Sequence, residues 1–243
     1  MIGPLLSRPE DVAAALETDP VAFAAEADAV LDGADPLTVL GWAGRAFGRD
    51  LAVTAAMGDT VLAHLASRAV PGVHLLFVDT GYHFAETIGT VDAVAASYPV
   101  RLLTIRPRES VAEHEAARGL LHRTDPDACC ALRKVAPLNN ALRGYRAWAT
   151  GLRRDESPTR AGTPTVAWDA GRGVLKLAPI ATWTDDDVDT YLAEHPDVLL
   201  NPLLQAGYTS IGCAPCTRAA RPGEDGRAGR WAGRAKTECG LHL

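Results

Sequence analysis

The protein has 243 residues, of which 47% are hydrophobic, and its formal net charge is −6 at neutral pH. A chain of this size can bury a sizeable core within one domain. The negative charge argues against a nucleic-acid partner, because binding to phosphate backbones needs a basic surface. No apolar run reaches 18 residues, and the first residues lack the pattern of a signal peptide. We therefore expect a cytoplasmic protein that has no contact with a membrane.

The first 48 residues carry three helix-start signals. These signals are Pro9, Asp19-Pro20 and Asp35-Pro36, each followed by an alanine-rich or apolar stretch. Proline in the first turn, preceded by a capping aspartate, is typical of the beginning of a helix. We predict that residues 1–48 form a helical segment that packs on the core.

From residue 51 onward, short apolar runs alternate with windows of helical periodicity. The predicted strands are 51–54, 73–78, 100–105, 147–150 and 174–178, and the predicted helices are 58–69, 84–97, 109–118 and 131–143. This alternation predicts a doubly wound α/β fold whose mostly parallel sheet is covered by helices on both faces. Ligands of such folds bind beyond the carboxyl ends of the strands. Residues 49–216 are the predicted nucleotide-binding domain.

Two loops fall at that edge of the predicted sheet. The first, 54–59, enters a helix whose free amide groups can hold a phosphate, and Thr54 and Gly58 are its candidate binding residues. The second follows the strand that ends at Val78, and its candidates are Asp79, Thr80 and Gly81. Either loop alone is also compatible with an ordinary turn, because turns favour Gly and Asp. Their shared position at one sheet edge favours a ligand site.

Two further segments carry clustered charges. Arg153, Arg154 and Arg160 lie just past a predicted strand, where three guanidinium groups suit a multiply charged anion, although a solvated loop is the alternative. The acidic run 185–187 follows Thr184 at a predicted helix start. Successive helical residues point in different directions, so this run is interpreted as a helix cap and not as a metal site.

The five cysteines occur as two pairs and a single residue near the carboxyl end. The pairs are Cys129-Cys130 and Cys213-Ala-Pro-Cys216, and the single residue is Cys239. An odd number of cysteines in a reducing compartment argues against a disulfide framework. Four thiolates can hold zinc or an iron–sulfur cluster. Adjacent cysteines suit one tetrahedral ion poorly, so a 4Fe–4S cluster is favoured, with zinc and buried free thiols as the alternatives.

Cys239 is the candidate nucleophile. It lies in a segment, 217–243, that is rich in Gly, Ala and Arg and shows no clear core pattern, so this segment is predicted to be a mobile tail. Lys236, Arg234 and His242 are placed to lower the pKa of the thiol, whereas Glu238 opposes this effect. An incidental cysteine is the alternative interpretation.

Three motifs together resemble the iron–sulfur-containing adenosine 5′-phosphosulfate reductases of sulfate assimilation. The motifs are Cys129-Cys-Ala-Leu-Arg-Lys-Val135, Gly212-Cys-Ala-Pro-Cys-Thr217 and Lys236-Thr-Glu-Cys-Gly-Leu-His242, and the resemblance runs from about residue 51 to the end. The loop 79–83 and Gly151-Leu-Arg-Arg154 agree with it. The resemblance implies a fold of the adenine-nucleotide α-hydrolase-like type. It also implies a 4Fe–4S cluster on the two cysteine pairs.

The resemblance further implies a reaction and its partners. Cys239 would attack the sulfur of adenosine 5′-phosphosulfate and expel AMP, and thioredoxin or a glutaredoxin-like donor would then release sulfite from the S-sulfonated cysteine. Lys134 matches the family's anion-contacting lysine beside the cluster. The substrate-binding arginines would be Arg153, Arg154 and Arg160 of the loop, together with Arg227 and Arg230 of the tail.

Some features depart from the resemblance or leave alternatives open. Residues 54–59 read Thr-Ala-Ala-Met-Gly-Asp, not the Ser-Gly-Gly-x-Asp-Ser of ATP pyrophosphatases, which argues against ATP hydrolysis. Use of the 3′-phosphorylated nucleotide as a second substrate stays open, as does a homo-oligomer. A cluster-containing tRNA-thiolation protein is less favoured, because it needs an intact pyrophosphatase loop and a basic surface. A nucleotide-binding redox sensor is the non-enzymatic alternative, and it would not need Cys239.

Overall fold

The computed structural model describes residues 8–241, and within this range the chain forms a single six-stranded sheet. The strands are β1 (Leu51–Thr54), β2 (His74–Val78), β3 (Arg101–Ile105), β4 (Ala147–Ala149), β5 (Val166–Asp169) and β6 (Val174–Leu177). Their order across the sheet is β3-β2-β1-β4-β6-β5. All neighbouring pairs are parallel except β5 with β6, which are antiparallel. The prediction of a mostly parallel α/β sheet is confirmed.

Alternate side chains of the central strands pack on opposite faces of the sheet, as the pleat of a strand requires. Leu51 and Val53 of β1 point into the larger core cluster, whereas Ala52 between them belongs to a second cluster with Leu138 and Trp148. Both faces are therefore buried under other elements. This double burial explains why the strand sequences are continuously apolar instead of alternating.

Ten α-helices lie in the described part of the chain. They are α1 (Pro9–Thr18), α2 (Pro20–Leu31), α3 (Pro36–Phe47), α4 (Val61–Ala69), α5 (Ala85–Ser97), α6 (Val111–Arg118), α7 (Leu121–Thr124), α8 (Pro126–Cys130), α9 (Ala136–Leu142) and α10 (Asp185–Glu194). The cap of α10 agrees with the interpretation of the acidic run. Thr184 accepts a bond from the Asp187 amide, and Asp187 accepts one from the Thr184 amide in return. This capping box satisfies two amide groups at the helix start.

The amino-terminal helices start where the sequence signals placed them. Asp19 and Asp35 each accept a hydrogen bond from the amide three residues later, and a proline follows each of them. Val12, Phe23 and Trp42, one from each helix, are buried in the same core cluster as strand β1. Residues 8–47 thus cover one face of the sheet.

Four elements differ from the expectations. Strand β5 was missed, because it is a four-residue edge strand that runs against its neighbour. Helices α7 and α8 were also missed, since both are too short to show periodicity. The predicted helix 131–143 is one π-helical turn, Ala131–Val135, followed by α9. Within residues 8–241, no helix combines the length and the apolar character needed to cross a membrane.

Candidate active site

A cavity of about 300 Å³ opens at the carboxyl edge of the sheet, where β1 and β4 are neighbours. After β1 the chain continues to β2 on one side of this position. After β4 it continues to β5 and β6 on the other side. Such a switch point leaves a crevice between the outgoing loops. Trp148 lies beneath it and donates its indole N–H to the Thr54 hydroxyl at 2.9 Å. The cavity is within the size range of sites for small ligands.

The loop after β1 forms one wall of the cavity. Met57 and Thr60 adopt left-handed backbone angles, with φ of 59° and 50°. These conformations are disfavoured outside glycine, so surrounding contacts must maintain them. Asn201, which is fully buried, donates its side-chain amide to the Met57 carbonyl at 3.0 Å and its backbone amide to the Gly58 carbonyl at 2.9 Å. The loop is therefore fixed before any ligand binds.

Asp59 ends this loop and faces the same cavity. Burial raises the pKa of its carboxyl group, although a hydrogen bond from the Val61 amide acts in the opposite direction. Sequence reasoning treated this residue only as a turn former. Its carboxyl group is the acidic group that this loop contributes to the cavity.

A second, smaller pocket lies beside the cavity and is lined by four cysteines. Cys129 and Cys130 line it from the end of α8. Cys216 lines it from the end of the short turn Ala214–Cys216, and Cys213 directly precedes that turn. The two cysteine pairs, which are far apart in sequence, thus share one site. Lys134 lines both this pocket and the cavity, so the two sites are contiguous.

The electrostatics of the thiol pocket follow from burial. Burial raises the pKa of Cys129 to about 11, and the three neighbouring thiols add to this shift. The pKa values of Cys130 and Cys216 are also raised, again mainly by burial. Thiolates there need added positive charge, which a bound metal group supplies. Burial lowers the pKa of Lys134, but the charges of neighbouring thiolates outweigh it and the net shift is upward.

The carboxyl-terminal segment folds back over both sites. Trp231 is 3% exposed, lines the thiol pocket and donates its backbone amide to the Cys216 carbonyl at 2.9 Å. Its side chain is stacked by Arg230 at 4.4 Å from the ring centroid and by Lys236 at 5.2 Å. Lys236 also pairs with Asp127 of α8. Cys239, eight residues after the tryptophan, lines the larger cavity.

Comparison with known proteins identifies the family. Residues 51–219 match the model of the phosphoadenosine phosphosulfate reductase domain. The chain belongs to the phosphoadenosine phosphosulfate reductase family. Among its relatives is a protein of Streptomyces coelicolor named adenosine 5′-phosphosulfate reductase, 61% identical over 91% of this chain and 94% of the relative. A protein of the same name from Mycolicibacterium smegmatis is 49% identical over 96% and 99% of the two chains.

Solved structures agree with this family and with the fold. A phosphoadenylyl-sulfate reductase from Candida auris, in a phosphate complex, superposes with a TM-score of 0.70 at 32% identity and covers 79% of this chain and 95% of its own. An FMN adenylyltransferase from Candida glabrata has a TM-score of 0.53 at 12% identity over 75% of this chain and 64% of its own, which shows only a related fold. The expected adenine-nucleotide α-hydrolase-like fold is confirmed.

Most of the predicted site residues lie together around the cavity. The cavity is lined by eight of the predicted substrate and catalytic residues: Thr54, Gly58, Lys134, Arg153, Arg160, Arg227, Arg230 and Cys239. Gly212 also lines it, and a Cβ atom there would overlap the Arg230 guanidinium. A larger residue at 212 would therefore displace an arginine from the cavity.

Residues 79–82 lie outside the cavity, and Thr80 and Tyr82 line the thiol pocket instead, whereas His83 lines the cavity. Asp79 accepts a bond from the Gly81 amide and pairs with Arg106 at 3.0 Å, so its carboxylate is already engaged. The Thr80 hydroxyl is 3.2 Å from the Cys213 sulfur. Gly81 has φ of 77°, and a Cβ atom there would meet Val111 at 2.6 Å. These contacts explain why Asp79, Thr80 and Gly81 do not line the cavity, contrary to expectation.

Arg154 is the other predicted substrate residue that the fold places elsewhere. It pairs with Asp32 of α2 at 2.6 Å and donates to the Thr163 carbonyl at 2.7 Å. Its neighbour Arg153 faces the cavity but pairs with Asp185 at 2.6 Å. Adjacent arginines on an irregular segment point in different directions, which no sequence motif could resolve. His242 lies outside the described residues.

Two functional features of the site were missed by sequence reasoning. Glu156 lines the cavity and pairs with Arg160, a contact whose i,i+4 spacing is its only sequence signal. Trp231 closes the thiol pocket from a segment that was expected to lack buried side chains. A lone tryptophan in a basic, glycine-rich stretch was the available signal for this role.

Proposed function

We propose that this protein is an adenylyl-sulfate reductase that uses thioredoxin to convert adenosine 5′-phosphosulfate into sulfite and AMP in sulfate assimilation. The observation that carries the proposal is that Cys239 lines the same cavity as two cations, the buried Lys134 and the half-buried Arg230. The curated relatives that bear the name adenosine 5′-phosphosulfate reductase support the choice of nucleotide. A reducing cytoplasm fits the proposal, because free thiols and reduced thioredoxin persist there.

The proposed first step is nucleophilic attack by the Cys239 thiolate on the sulfur of the substrate. A sulfur–sulfur bond forms, the bond from sulfur to the bridging phosphate oxygen breaks, and AMP leaves with that electron pair. The ammonium of Lys134 and the guanidinium of Arg230 are placed to stabilise the charge of the sulfonate and of the departing phosphate. The product on the enzyme is S-sulfonated Cys239.

The proposed second step regenerates the thiol. A thiolate of reduced thioredoxin attacks the Cys239 sulfur, sulfite leaves with the electron pair, and a mixed disulfide forms. The second thioredoxin thiol then reduces that disulfide and restores Cys239. The two electrons that convert sulfate to sulfite thus come from the thioredoxin dithiol. For this exchange, the segment that bears Cys239 must leave the cavity.

The four-cysteine pocket fits a 4Fe–4S cluster held by Cys129, Cys130, Cys213 and Cys216. Adjacent cysteines suit a single tetrahedral ion poorly, whereas a cluster offers a separate iron to each thiolate, which suits four buried or half-buried thiols around one pocket. When bound, the cluster would supply positive charge that stabilises the thiolates. Lys134 would lie between it and the substrate anion.

The fixed loop 55–60 is the proposed cradle for the nucleotide. It precedes α4, whose first amides face the carboxyl edge of the sheet, and it is held rigid by Asn201. Helix starts of this kind bind phosphate through backbone amides, which does not require serine side chains. This explains how the loop can serve without the serines of the pyrophosphatase motif.

The direct test is turnover of the anaerobically purified holoenzyme with adenosine 5′-phosphosulfate and reduced thioredoxin. We expect equal amounts of sulfite and AMP, and we expect no sulfite when oxidised thioredoxin is supplied. The same assay with the 3′-phosphorylated nucleotide shows whether the enzyme accepts both nucleotides as substrates. Absence of sulfite from both nucleotides with reduced thioredoxin would overturn the proposal and favour a nucleotide-binding sensor.

A further inference from the structure

We propose that Glu238 is a positioning residue whose carboxylate, bound by Arg160 and Arg227, docks the carboxyl-terminal segment so that Cys239 lies in the cavity. The inference rests on the proposed function, because it concerns how the proposed nucleophile reaches its substrate. Sequence reasoning treated Glu238 only as a charge that opposes thiolate formation. The contacts of its carboxylate point to a different role.

Arg160 binds both oxygens of the Glu238 carboxylate through one edge of its guanidinium. Its Nε donates to one carboxylate oxygen at 2.9 Å, and its Nη2 donates to the other at 2.8 Å. The remaining nitrogen, Nη1, pairs with Glu156. The Arg160 and Glu238 side chains are only 12% and 15% exposed. Paired, partly buried contacts of this geometry are among the stronger ion pairs.

Arg227 holds the same stretch of chain from a second direction. Its Nη2 donates to the Thr237 carbonyl at 3.0 Å and contacts the Glu238 carboxylate at 3.3 Å. Arg160 and Arg227 are far apart in sequence, so their shared contact fixes the tail against the arginine loop. All three nitrogens of Arg160 are engaged by carboxylates. In the docked state, Arg160 is therefore unavailable as a primary ligand for the substrate.

The balance of charge in the cavity leads to the same conclusion. Glu156 and Glu238 carry two negative charges that neutralise the two guanidinium groups of Arg160 and Arg227. Lys134 and Arg230 also line the cavity. Within residues 8–241, no carboxylate forms an ion pair with either of them. We therefore assign anion binding to these two cations and tail docking to the neutralised pair of arginines.

A second anchor follows Cys239 in the chain. The Leu241 carbonyl accepts a hydrogen bond from Arg172 at 3.0 Å, and its side chain packs against the cluster that contains Trp148. Gly240, between the two anchors, has φ of 81°, which turns the chain at this point. Cys239 is thus held between a charged anchor on one side and a partly apolar anchor on the other.

The test compares two substitutions of Glu238 with a control in the same segment. Glu238→Asp keeps the charge next to the thiol but shortens the reach to Arg160, and Glu238→Gln removes the charge. Glu224 pairs with Arg218 at 2.7 Å, does not line the cavity and lies in the same tail, so Glu224→Asp and Glu224→Gln are matched controls. All measurements use the holoenzyme.

Three quantities are measured for each variant: turnover at saturating nucleotide, the dissociation constant for AMP, and the rate of Cys239 alkylation followed by peptide mass. For both Glu238 variants we expect turnover to fall about ten- to a hundredfold, because a misplaced nucleophile loses its alignment. We expect alkylation of Cys239 to become several times faster in Glu238→Asp, whose retained charge leaves ionisation of the thiol comparable. AMP affinity should stay within about twofold, as should every quantity in the controls.

Two results would overturn the inference. Unchanged alkylation in Glu238→Asp would mean that the carboxylate does not dock the tail. A large gain in AMP affinity in Glu238→Gln would mean that Glu238 blocks a phosphate site and does not position the thiol. Failure of the proposed function is distinguishable, because wild-type holoenzyme would then release no sulfite.

Discussion

The sheet and the carboxyl-terminal segment are stabilised by different interactions. Strands β1, β2 and β4 bury continuous apolar side chains on both faces, and Leu51, Leu75 and Trp148 are fully buried. Residues 217–241 form no helix and only one isolated bridge, Thr217 with Arg230, and are held by ion pairs and cation–aromatic contacts.

This difference has a consequence for catalysis. Apolar burial is not weakened by charge screening and is lost only on unfolding, whereas ion pairs that the solvent can reach are weakened by salt. We therefore expect the edge that carries the cavity to be rigid, and the segment that carries Cys239, the proposed nucleophile, to detach without unfolding of the sheet. The proposed reaction needs this movement, because Cys239 would meet first a nucleotide and then a protein.

The largest expected effect comes from the pocket that joins the two regions. Cys129→Ala should lose the proposed 4Fe–4S cluster, with iron falling from about four atoms per chain to less than one, because one of the four proposed ligands is missing. Turnover should fall to background and Cys239 should alkylate faster, since Trp231 and the tail pack on this pocket. Iron analysis and peptide mass measure these outcomes. A variant that retains activity without iron would refute this coupling.

The next effect separates the core from the tail. Leu75→Ala in β2 should lower the free energy of unfolding by about 2–5 kcal/mol, because it leaves a cavity at a fully buried position. Glu238→Gln should change the unfolding free energy much less, because the contact that it weakens docks the tail on the folded sheet and lies outside the apolar core. Denaturant unfolding of both holoenzymes measures the difference. Equal losses would mean that the tail belongs to the cooperative core.

A smaller effect is expected from salt. Raising KCl from about 0.05 M to about 1 M should speed alkylation of Cys239 about two- to fivefold, because screening weakens the pairs of Glu238 with its arginines. N-acetylcysteine in the same buffers corrects for changes in intrinsic thiol reactivity. An unchanged corrected rate would show that Leu241 and Arg172, and not the charged anchor, hold the tail.

The smallest effect concerns pH and lies in the core. Burial lowers the pKa of His64, which is 4% exposed, despite the opposing carboxylate of Asp197. The unfolded state therefore binds a proton at this histidine more readily than the folded state does. The contribution of His64 to the free energy of unfolding is thus retained above about pH 6.5 and is lost as the pH falls below that value. His64→Gln should reduce the slope of unfolding free energy between pH 7 and about pH 5. An unchanged slope would mean that other groups cause the pH dependence of the unfolding free energy.

Much of the fold could be predicted because its signals are local. The alternation of apolar runs and helical windows predicted five of the six strands, and the Asp-Pro pairs predicted the starts of α2 and α3. Strand β5 was missed because an antiparallel edge strand depends on a partner that only tertiary structure provides. The position of the cavity at the carboxyl edge of the sheet also followed from topology alone.

The residues that gather around the cavity were easier to predict than the partners that their side chains contact. The motif around Cys239 indicated that this cysteine is the candidate nucleophile. Cys239 lines the cavity together with Lys134 and Arg230. Side-chain pairing was not predictable, because Arg154 finds Asp32 and Arg160 finds Glu238 across the fold. Whether an arginine is a free cation or a paired one depends on contacts that sequence spacing does not encode.

The covalent step tests the account most directly. The measurement is intact mass of the anaerobic holoenzyme after mixing with adenosine 5′-phosphosulfate without thioredoxin, followed by peptide mapping, with Cys239→Ser as the control. We predict one added SO₃ group on Cys239, absent from the serine variant and removed by reduced thioredoxin with release of sulfite. Protein that turns over normally but carries no adduct on Cys239 would contradict the account and assign the chemistry to another group.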